Sequence, residues 1–227
     1  MKKAFVAILL VLAAVLFLPF MSRHEEGEHQ HVEGLPWQIE VQPDGSSKVF
    51  GLTLGRSILA DARQRFGSDM ELALIVSNDE AGSLEAYYDK VTAGVLTGKM
   101  VLTMAVDPAT LTRFRERAAK KEYMETGAKK YLLDAGDVAA AYQAPIGTVT
   151  FILPVSIDEA TVLKLFGQPE ERIGASQYTQ HFLYSSKGLD LMLNSKGKEV
   201  LQYVPPRDFQ RLREPLIKAM NNNRNAR

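Results

Sequence analysis

The stretch VPPRDFQRLRE, residues 204–214, repeats in altered form an earlier stretch, VDPATLTRFRE, residues 106–116. Five residues are identical at a spacing of 98, and in the first copy they are Val106, Pro108, Arg113, Arg115 and Glu116. Two further positions are apolar in both copies but carry different side chains: Leu111 corresponds to Phe209, and Phe114 corresponds to Leu212. The repetition predicts that the chain contains two related units.

A second repeated feature is the pair Phe66-Gly67, which recurs as Phe166-Gly167. In both places it follows a helical pattern, over residues 57–66 and 156–166, with apolar side chains at helical spacing. Glycine just after a helix supplies a backbone conformation with positive φ. We therefore expect two helices that end at matching glycine corners, each packed on antiparallel strands of its own unit.

The other apolar segments predict strands, at 37–41, 48–54, 72–76, 84–88, 94–96 and 99–106 in the first unit and at 148–153, 178–184, 189–193 and 199–204 in the second. A polar turn is predicted at 78–82, and a tight connection at Thr97-Gly98. Further helices are expected after the cap Asp107 and at 137–142, and Pro215 is expected to end the closing helix.

These patterns together predict an α+β fold made of two tandem helix-plus-antiparallel-sheet units. The first unit is placed at 35–128 and the second at 148–214, with a connector at 129–147 and a disordered tail at 215–227.

Composition limits the possible functions. The 227 residues are 46% apolar, carry no formal net charge and include no cysteine. A general nucleic-acid binder needs a basic field, so we expect no nucleic-acid partner. The absence of cysteine excludes disulfides, thiolate metal sites, a cysteine nucleophile and a lipidated cysteine anchor.

The N-terminus carries a membrane signal. Lys2 and Lys3 precede an apolar run at 4–21, which is long enough to span a bilayer. Glutamates outnumber basic residues directly after the run, so the positive-inside rule places the rest of the chain outside the cytoplasm. We expect residues 1–21 to be a single-pass anchor in the inner membrane with a periplasmic C-terminal part. A cleaved signal peptide is the alternative.

Residues 22–34 are polar and are expected to form a tether. The segment contains His24, His29 and His31, and histidine-rich segments also bind metals. A flexible tether fixes no ligand geometry, and the spacing is not that of a known zinc motif. We therefore predict no metal and no cofactor.

The most basic part of the chain follows Asp107 and includes Arg113, Arg117, Lys120 and Lys121. A solvated helix face explains these residues, and contact with anionic lipid headgroups is the alternative.

No catalytic motif is present. The chain has no nucleophile elbow, dinucleotide fingerprint or phosphate loop. His181 is the one histidine of the two units, and the sequence shows no serine or aspartate placed to orient it. We predict that the protein is not an enzyme, with an envelope hydrolase whose site lies between the two units as the alternative.

Aromatic side chains mark one face of the strand at 178–184. Tyr178, Phe182 and Tyr184 alternate with other residues, and Tyr88 holds the corresponding place in the first unit. This face either packs on the helix of its own unit or forms a partner-binding patch, because tyrosine suits half-wet surfaces. If the aromatic face is core, the binding face is expected on the side of Thr179 and His181.

The two helix-and-corner segments, 51–67 and 155–169, resemble the SmpA/OmlA family of outer-membrane-assembly lipoproteins. A tandem pair of such units is similar to β-lactamase inhibitor protein, whose two halves form a concave partner-binding surface. The resemblance implies an α+β fold and a binding function. Family members are attached through a lipidated cysteine, which this chain lacks.

The sequence as a whole predicts a membrane-anchored, extracytoplasmic binding module of the bacterial-type cell envelope, without catalytic activity, whose partners are envelope proteins.

Overall fold

The computed structural model describes residues 33–77 and 82–225, with side chains up to residue 222. The expected anchor at 1–21, almost all of the tether at 22–34 and most of the turn at 78–82 lie outside these residues. No helix in the described ranges combines the length and hydropathy needed to cross a bilayer.

Strands dominate the described residues. They are β1 Glu40–Val41, β2 Ser47–Val49, β3 Leu52–Thr53, β4 Glu71–Val76, β5 Ser83–Ala93, β6 Leu96–Met104, β7 Lys120–Tyr123, β8 Lys129–Leu132, β9 Ile146–Ile152, β10 Glu171–Gly174, β11 Thr179–Tyr184, β12 Leu189–Asn194 and β13 Val200–Tyr203. Within this part of the chain, β1–β3 form a small sheet and the other ten strands form one antiparallel sheet. Its order is β10-β11-β12-β13-β9-β6-β5-β4-β8-β7, so strands of both predicted units share one sheet.

The helices are α1 Leu59–Phe66, α2 Pro108–Arg117, α3 Ala135–Tyr142, α4 Glu159–Phe166 and α5 Gln210–Asn225, with short 3₁₀ turns at Ser185–Lys187 and Pro206–Asp208. The fold is α+β, as the sequence predicts. Aspartates Asp107, Asp134 and Asp158 precede α2, α3 and α4, and each accepts a backbone N–H of the first turn at 2.8–2.9 Å. These caps satisfy amides that have no partner inside the helix.

Helices α1 and α4 end at matching corners. Gly67 has φ 92° and Gly167 has φ 83°, which confirms the predicted positive φ. The carbonyl of Gly67 accepts a hydrogen bond from the Tyr88 hydroxyl at 3.3 Å, and that of Gly167 accepts one from Tyr184 at 2.9 Å. Each tyrosine therefore ties the end of a helix to the sheet beneath it.

One face of the sheet, the covered face, carries the main core. The strand register aligns Tyr88, Met100, Phe151, Leu201 and Leu191 in a row across five neighbouring strands. The buried apolar residues of α1, α2, α3 and α4 belong to the same apolar cluster. Burial of each large side chain in this cluster contributes about 1.5–3 kcal/mol.

The β1–β3 sheet packs on this core through Val49, Leu52 and the turn between β2 and β3. Phe50 and Gly51 form the turn between β2 and β3, and both have positive φ. Positive φ is strained for phenylalanine. The ring of Phe50 is buried 5.2 Å from that of Phe151 and 5.4 Å from that of Tyr203, measured between centroids. Packing in the core therefore stabilises this turn. The sequence pattern predicted one continuous strand at 48–54, and the turn divides it into β2 and β3.

Helix α5 packs on the opposite side of the sheet from α1–α4. Its side chains Leu212, Leu216 and Ile217 lie against a small cluster that includes Leu183 and Phe209. The prediction that Pro215 ends the helix is wrong, because α5 continues to Asn225. Proline removes one N–H donor near the start of this helix, and the apolar stripe on both sides of it keeps the helix on the sheet.

Other predicted boundaries also need correction. Residues 94–96 are not a separate strand: Ala93 pairs with Leu96, so the tight turn is at Gly94-Val95 and Thr97-Gly98 lies inside β6. Strands β7, β8 and β10 were not predicted. Lys120 and Lys121, which the sequence placed on a helix face, lie in β7.

The two corner glycines give a test of backbone strain. Their ψ values of 179° and −167° place them in a region essentially restricted to glycine. Gly67→Ala and Gly167→Ala should each lower the free energy of unfolding by about 1–3 kcal/mol. A Cβ at either site meets no atom within 4 Å, so strain rather than a clash is the cause.

Gly174→Ala is the matched control. A Cβ there also meets nothing within 4 Å, and Gly174 does not have positive φ. We expect a change within about 0.5 kcal/mol, measured by denaturant unfolding. Equal effects at all three glycines would contradict the assignment of strain to the corners.

Candidate functional site: the open face of the sheet

The side of the sheet opposite the covered face is here named the open face. Its central row is set by the register: Tyr87 of β5 pairs with Val101 of β6, and Val101 pairs with Thr150 of β9. Thr150 pairs in turn with Gln202 of β13, and Gln202 with Asp190 of β12. The open face is therefore continuous across the junction of the two predicted units.

The middle of the open face has no cover in the described part of the chain. Val101, Thr150 and Gln202 are half-buried. Helix α5 packs at the far end, where its Arg213 makes two hydrogen bonds to Glu171 of β10, at 2.6 and 3.1 Å. These contacts with Arg213 lower the pKa of the Glu171 carboxyl.

The predicted aromatic patch is not a surface. Tyr88 and Tyr184 are 1% exposed and Phe182 is fully buried, and all three belong to the core cluster. Burial raises the pKa of Tyr88 and of Tyr184 to about 12, so both hydroxyls stay protonated as donors to the glycine corners. The prediction that these three residues form a partner-binding patch therefore needs correction: they are core.

Tyr178 is the exception among the four residues. It lies just before β11, is 39% exposed, and has the Lys196 ammonium 3.6 Å from its ring centroid. It stays available to a partner, but not as part of a patch with the other three.

His181 lies on the open face beside Asp190, and the sequence reading missed this pair. The ring Nδ1 is 3.0 and 2.9 Å from the two carboxylate oxygens of Asp190. A carboxylate only accepts, so Nδ1 carries the donated hydrogen. The hairpin register is the sequence feature that could have predicted this pair. A short turn joins β11 and β12 and places Leu183 opposite Asp190, so His181, two residues before Leu183, is a diagonal neighbour of Asp190.

A second polar group lies on the same face at the other side of the central row. The Lys99 ammonium donates to Asp89 at 2.7 Å and to the Tyr87 hydroxyl at 3.0 Å. Hydrogen bonds to Asp89 and Tyr87 raise the pKa of Lys99, and those from Lys99 and Tyr87 lower the pKa of Asp89. Lys99 is thus held in its charged form, which is not the nucleophilic form of a lysine.

Chemically, the open face offers hydrogen bonds and apolar contact. The His181–Asp190 pair has the orientation of a general base, but no hydroxyl of a described residue hydrogen bonds to His181. The described residues also contain no group of three or more histidines and carboxylates that could hold a metal ion. The strands at the centre of the face contribute threonine, valine and glutamine.

Comparison with known proteins adds no relative: no family model matches the chain, and no curated protein and no solved structure shows significant similarity to it. The resemblance to SmpA/OmlA lipoproteins and to β-lactamase inhibitor protein stays a prediction.

The His181–Asp190 pair can be tested by a double-mutant cycle. Asp190→Ala leaves the buried ring without its acceptor, so it should lower the free energy of unfolding by about 1–3 kcal/mol. His181→Ala should also destabilise. The double variant should lose clearly less than the sum of the two single losses, because both remove the same interaction. Additive losses would show that the two side chains do not interact.

Proposed function

We propose that the folded part of this chain is a protein-binding module, held outside the cytoplasm by an N-terminal membrane anchor, that recognises an envelope protein through its open face. One observation about the sheet carries the proposal. Four helices pack on one face of the sheet, and within the described residues nothing covers the middle of the other face. An uncovered face across the four strands β5, β6, β9 and β13 is a broad recognition surface.

The chemistry of the open face supports a protein partner. The centre of a protein interface is depleted of charge, and charged groups lie at its rim. Here Val101, Thr150 and Gln202 form an uncharged centre. Two polar pairs beside it are already formed within the chain, Lys99 with Asp89 on one side and His181 with Asp190 on the other. A neutral surface of this kind does not suit a nucleic acid, which requires a basic face.

We also propose that the fold contains two copies of one unit. Helix α1 is followed by β4, β5 and β6, and helix α4 by β10, β11 and β12. In both, the helix ends at Phe-Gly, and a tyrosine of the second strand donates to the glycine carbonyl. The open face would then combine equivalent strands of two copies, as in the predicted tandem architecture.

A hydrolase is the second candidate, and the His181–Asp190 pair is the observation that favours it. A base oriented by a carboxylate is one half of a catalytic arrangement. The pair would need a nucleophile that the described residues do not provide within hydrogen-bond distance. A binding role requires no such addition, so it is the function we prefer.

Anchoring completes the proposal. The apolar run at 4–21 and the charges that flank it favour a single span with the C-terminal part outside the cytoplasm. Residues 22–32 would then connect the membrane to the folded part, and when fully extended they reach about 40 Å. The module would thus search for partners close to the membrane surface.

The binding face can be tested with one substitution and a matched control. Thr150→Arg places a long charged side chain at the centre of the open face and should lower recovery of a crosslinked partner by about tenfold or more, since 1.4 kcal/mol suffices for that factor. Thr126→Arg makes the same change in the exposed turn between β7 and β8 and should leave recovery unchanged.

Thr126→Arg should melt close to the wild type, because surface substitutions change stability by about 0.5 kcal/mol or less. Recovery with Thr150→Arg, which alters a half-buried side chain, is measured at a temperature where its melting curve shows it to be folded. The readout is crosslinking in intact cells followed by pull-down of the full chain. Equal recovery with Thr150→Arg and Thr126→Arg would rule out the open face as the binding surface.

The anchor has its own test. The full chain should stay with the membrane fraction after carbonate extraction, and a reporter enzyme fused after Arg227 should be active only outside the cytoplasm. These results follow from an uncleaved span with a cytoplasmic N-terminus. Recovery of a soluble form that starts after residue 21 would show that the segment is a cleaved signal peptide.

A further inference from the structure

A partly open apolar cavity lies at the edge of the core where the described chain begins. Its volume is about 130 Å³, and its walls include Trp37, Leu153, Val155, Leu165, Phe166 and Leu201. Trp37 contacts Phe166 edge to face, with ring centroids 6.4 Å apart. Helix α4, strand β13 and the segment before β1 therefore line the space between them.

The walls define what the cavity can hold. Every side chain that lines it is apolar, so a water molecule inside would find no partners and a polar ligand would lose its hydrogen bonds. The size is close to that of an engineered cavity of about 150 Å³ that binds benzene. The cavity therefore suits about six carbon atoms of an apolar group.

The surface around the cavity favours a chain over a compact ring. Val155 belongs to the wall and is 53% exposed, and Val95, next to the wall residue Leu96, is 74% exposed. A ligand whose end fills the cavity can continue outward over these two valines. Its polar head would stay in solvent, which agrees with the absence of any polar group in the wall.

We propose that this cavity binds the end of an aliphatic chain, either the acyl chain of a membrane lipid or that of a free fatty acid. The site itself is argued from the cavity alone. The membrane as a source of the chain rests on the proposed function, because anchoring at 4–21 would keep Trp37 within the reach of residues 22–32 from the bilayer.

Trp37 makes a direct test possible, because it is the only tryptophan of the chain. The full-length protein is reconstituted in phosphatidylcholine vesicles, and its tryptophan fluorescence is recorded in two arms. In the first, the vesicle phospholipid carries bromine in its acyl chains. In the second, the vesicles are unlabelled and free dibromostearic acid is added. Bromine quenches tryptophan only at close contact, so a chain inside the cavity should remove about half of the signal.

Leu165→Phe is the cavity-filling variant and Leu212→Phe its matched control. Both change a half-buried helical leucine, but Leu165 lines the cavity and Leu212 lies on α5 against the other cluster. Leu165→Phe should abolish quenching, and Leu212→Phe should keep it. A photocrosslinker at the exposed Val155 gives a second measurement that does not depend on how the cavity repacks.

The outcomes separate cleanly. Quenching in the first arm supports the cavity and identifies the bilayer as the source. Quenching in the second arm alone supports the cavity and a free fatty acid, without support for a membrane lipid. No quenching in either arm overturns the proposal, as does equal quenching in Leu165→Phe and the wild type. A crosslink from Val155 to a protein and not to a lipid would also overturn it, and would assign the cavity to a partner's side chain.

Discussion

Strand β9 pairs on one edge with β6 and on the other with β13, and the rest of the fold depends on this double pairing. It joins strands of the two predicted units into one sheet. Side chains alternate along β9, with Val149 and Phe151 on the covered face and Thr148 and Thr150 on the open face. A shift of one residue would exchange these sets and place threonine in the core. The register of β9 thus decides both where the core lies and what the open face presents.

The helix corners show how far local sequence signals reach. The Phe-Gly pairs predicted two helix ends with positive φ, because only the local backbone had to be inferred. The aspartate before α2 was predicted as a cap for the same reason. The partners of the corners, Tyr88 and Tyr184, lie 21 and 17 residues away from the glycines they contact. Such contacts depend on strand register, and no local pattern shows them.

The aromatic residues show what periodicity leaves open. Alternation in β11 placed Phe182 and Tyr184 on one face and His181 and Leu183 on the other, as the structure has them. It could not show which face is covered, since both faces of this strand are buried. Helices α2 and α5, which contain the repeated stretches 106–116 and 204–214, belong to clusters on opposite sides of the sheet. Similar sequences therefore cover different faces, and tertiary packing rather than local pattern decides the outcome.

Three short strands were not predicted because they too depend on tertiary contacts. Strands β7, β8 and β10 have four residues each, and their charged or polar composition resembles that of a turn. They exist because a longer strand offers them a hydrogen-bonded edge: β4 for β8, and β11 for β10. The His181–Asp190 contact belongs to the same class, although here the hairpin register made it accessible from the sequence.

The threonines of the open face reconcile two opposing demands. A sheet face left uncovered in solution would promote aggregation if it were strongly apolar. A strongly charged face would instead lose much of its hydration energy when a partner covers it. Thr148 and Thr150 have β-branched methyl groups that favour the strand and hydroxyls that both donate and accept hydrogen bonds. Because Lys99 is already paired with Asp89 within the chain, a partner would have to supply shape and hydrogen bonds at the centre of the face rather than a countercharge to this lysine. The specificity of such a face would then depend on the register of its strands, and this register is set by the pairing of β9 with β6 and β13.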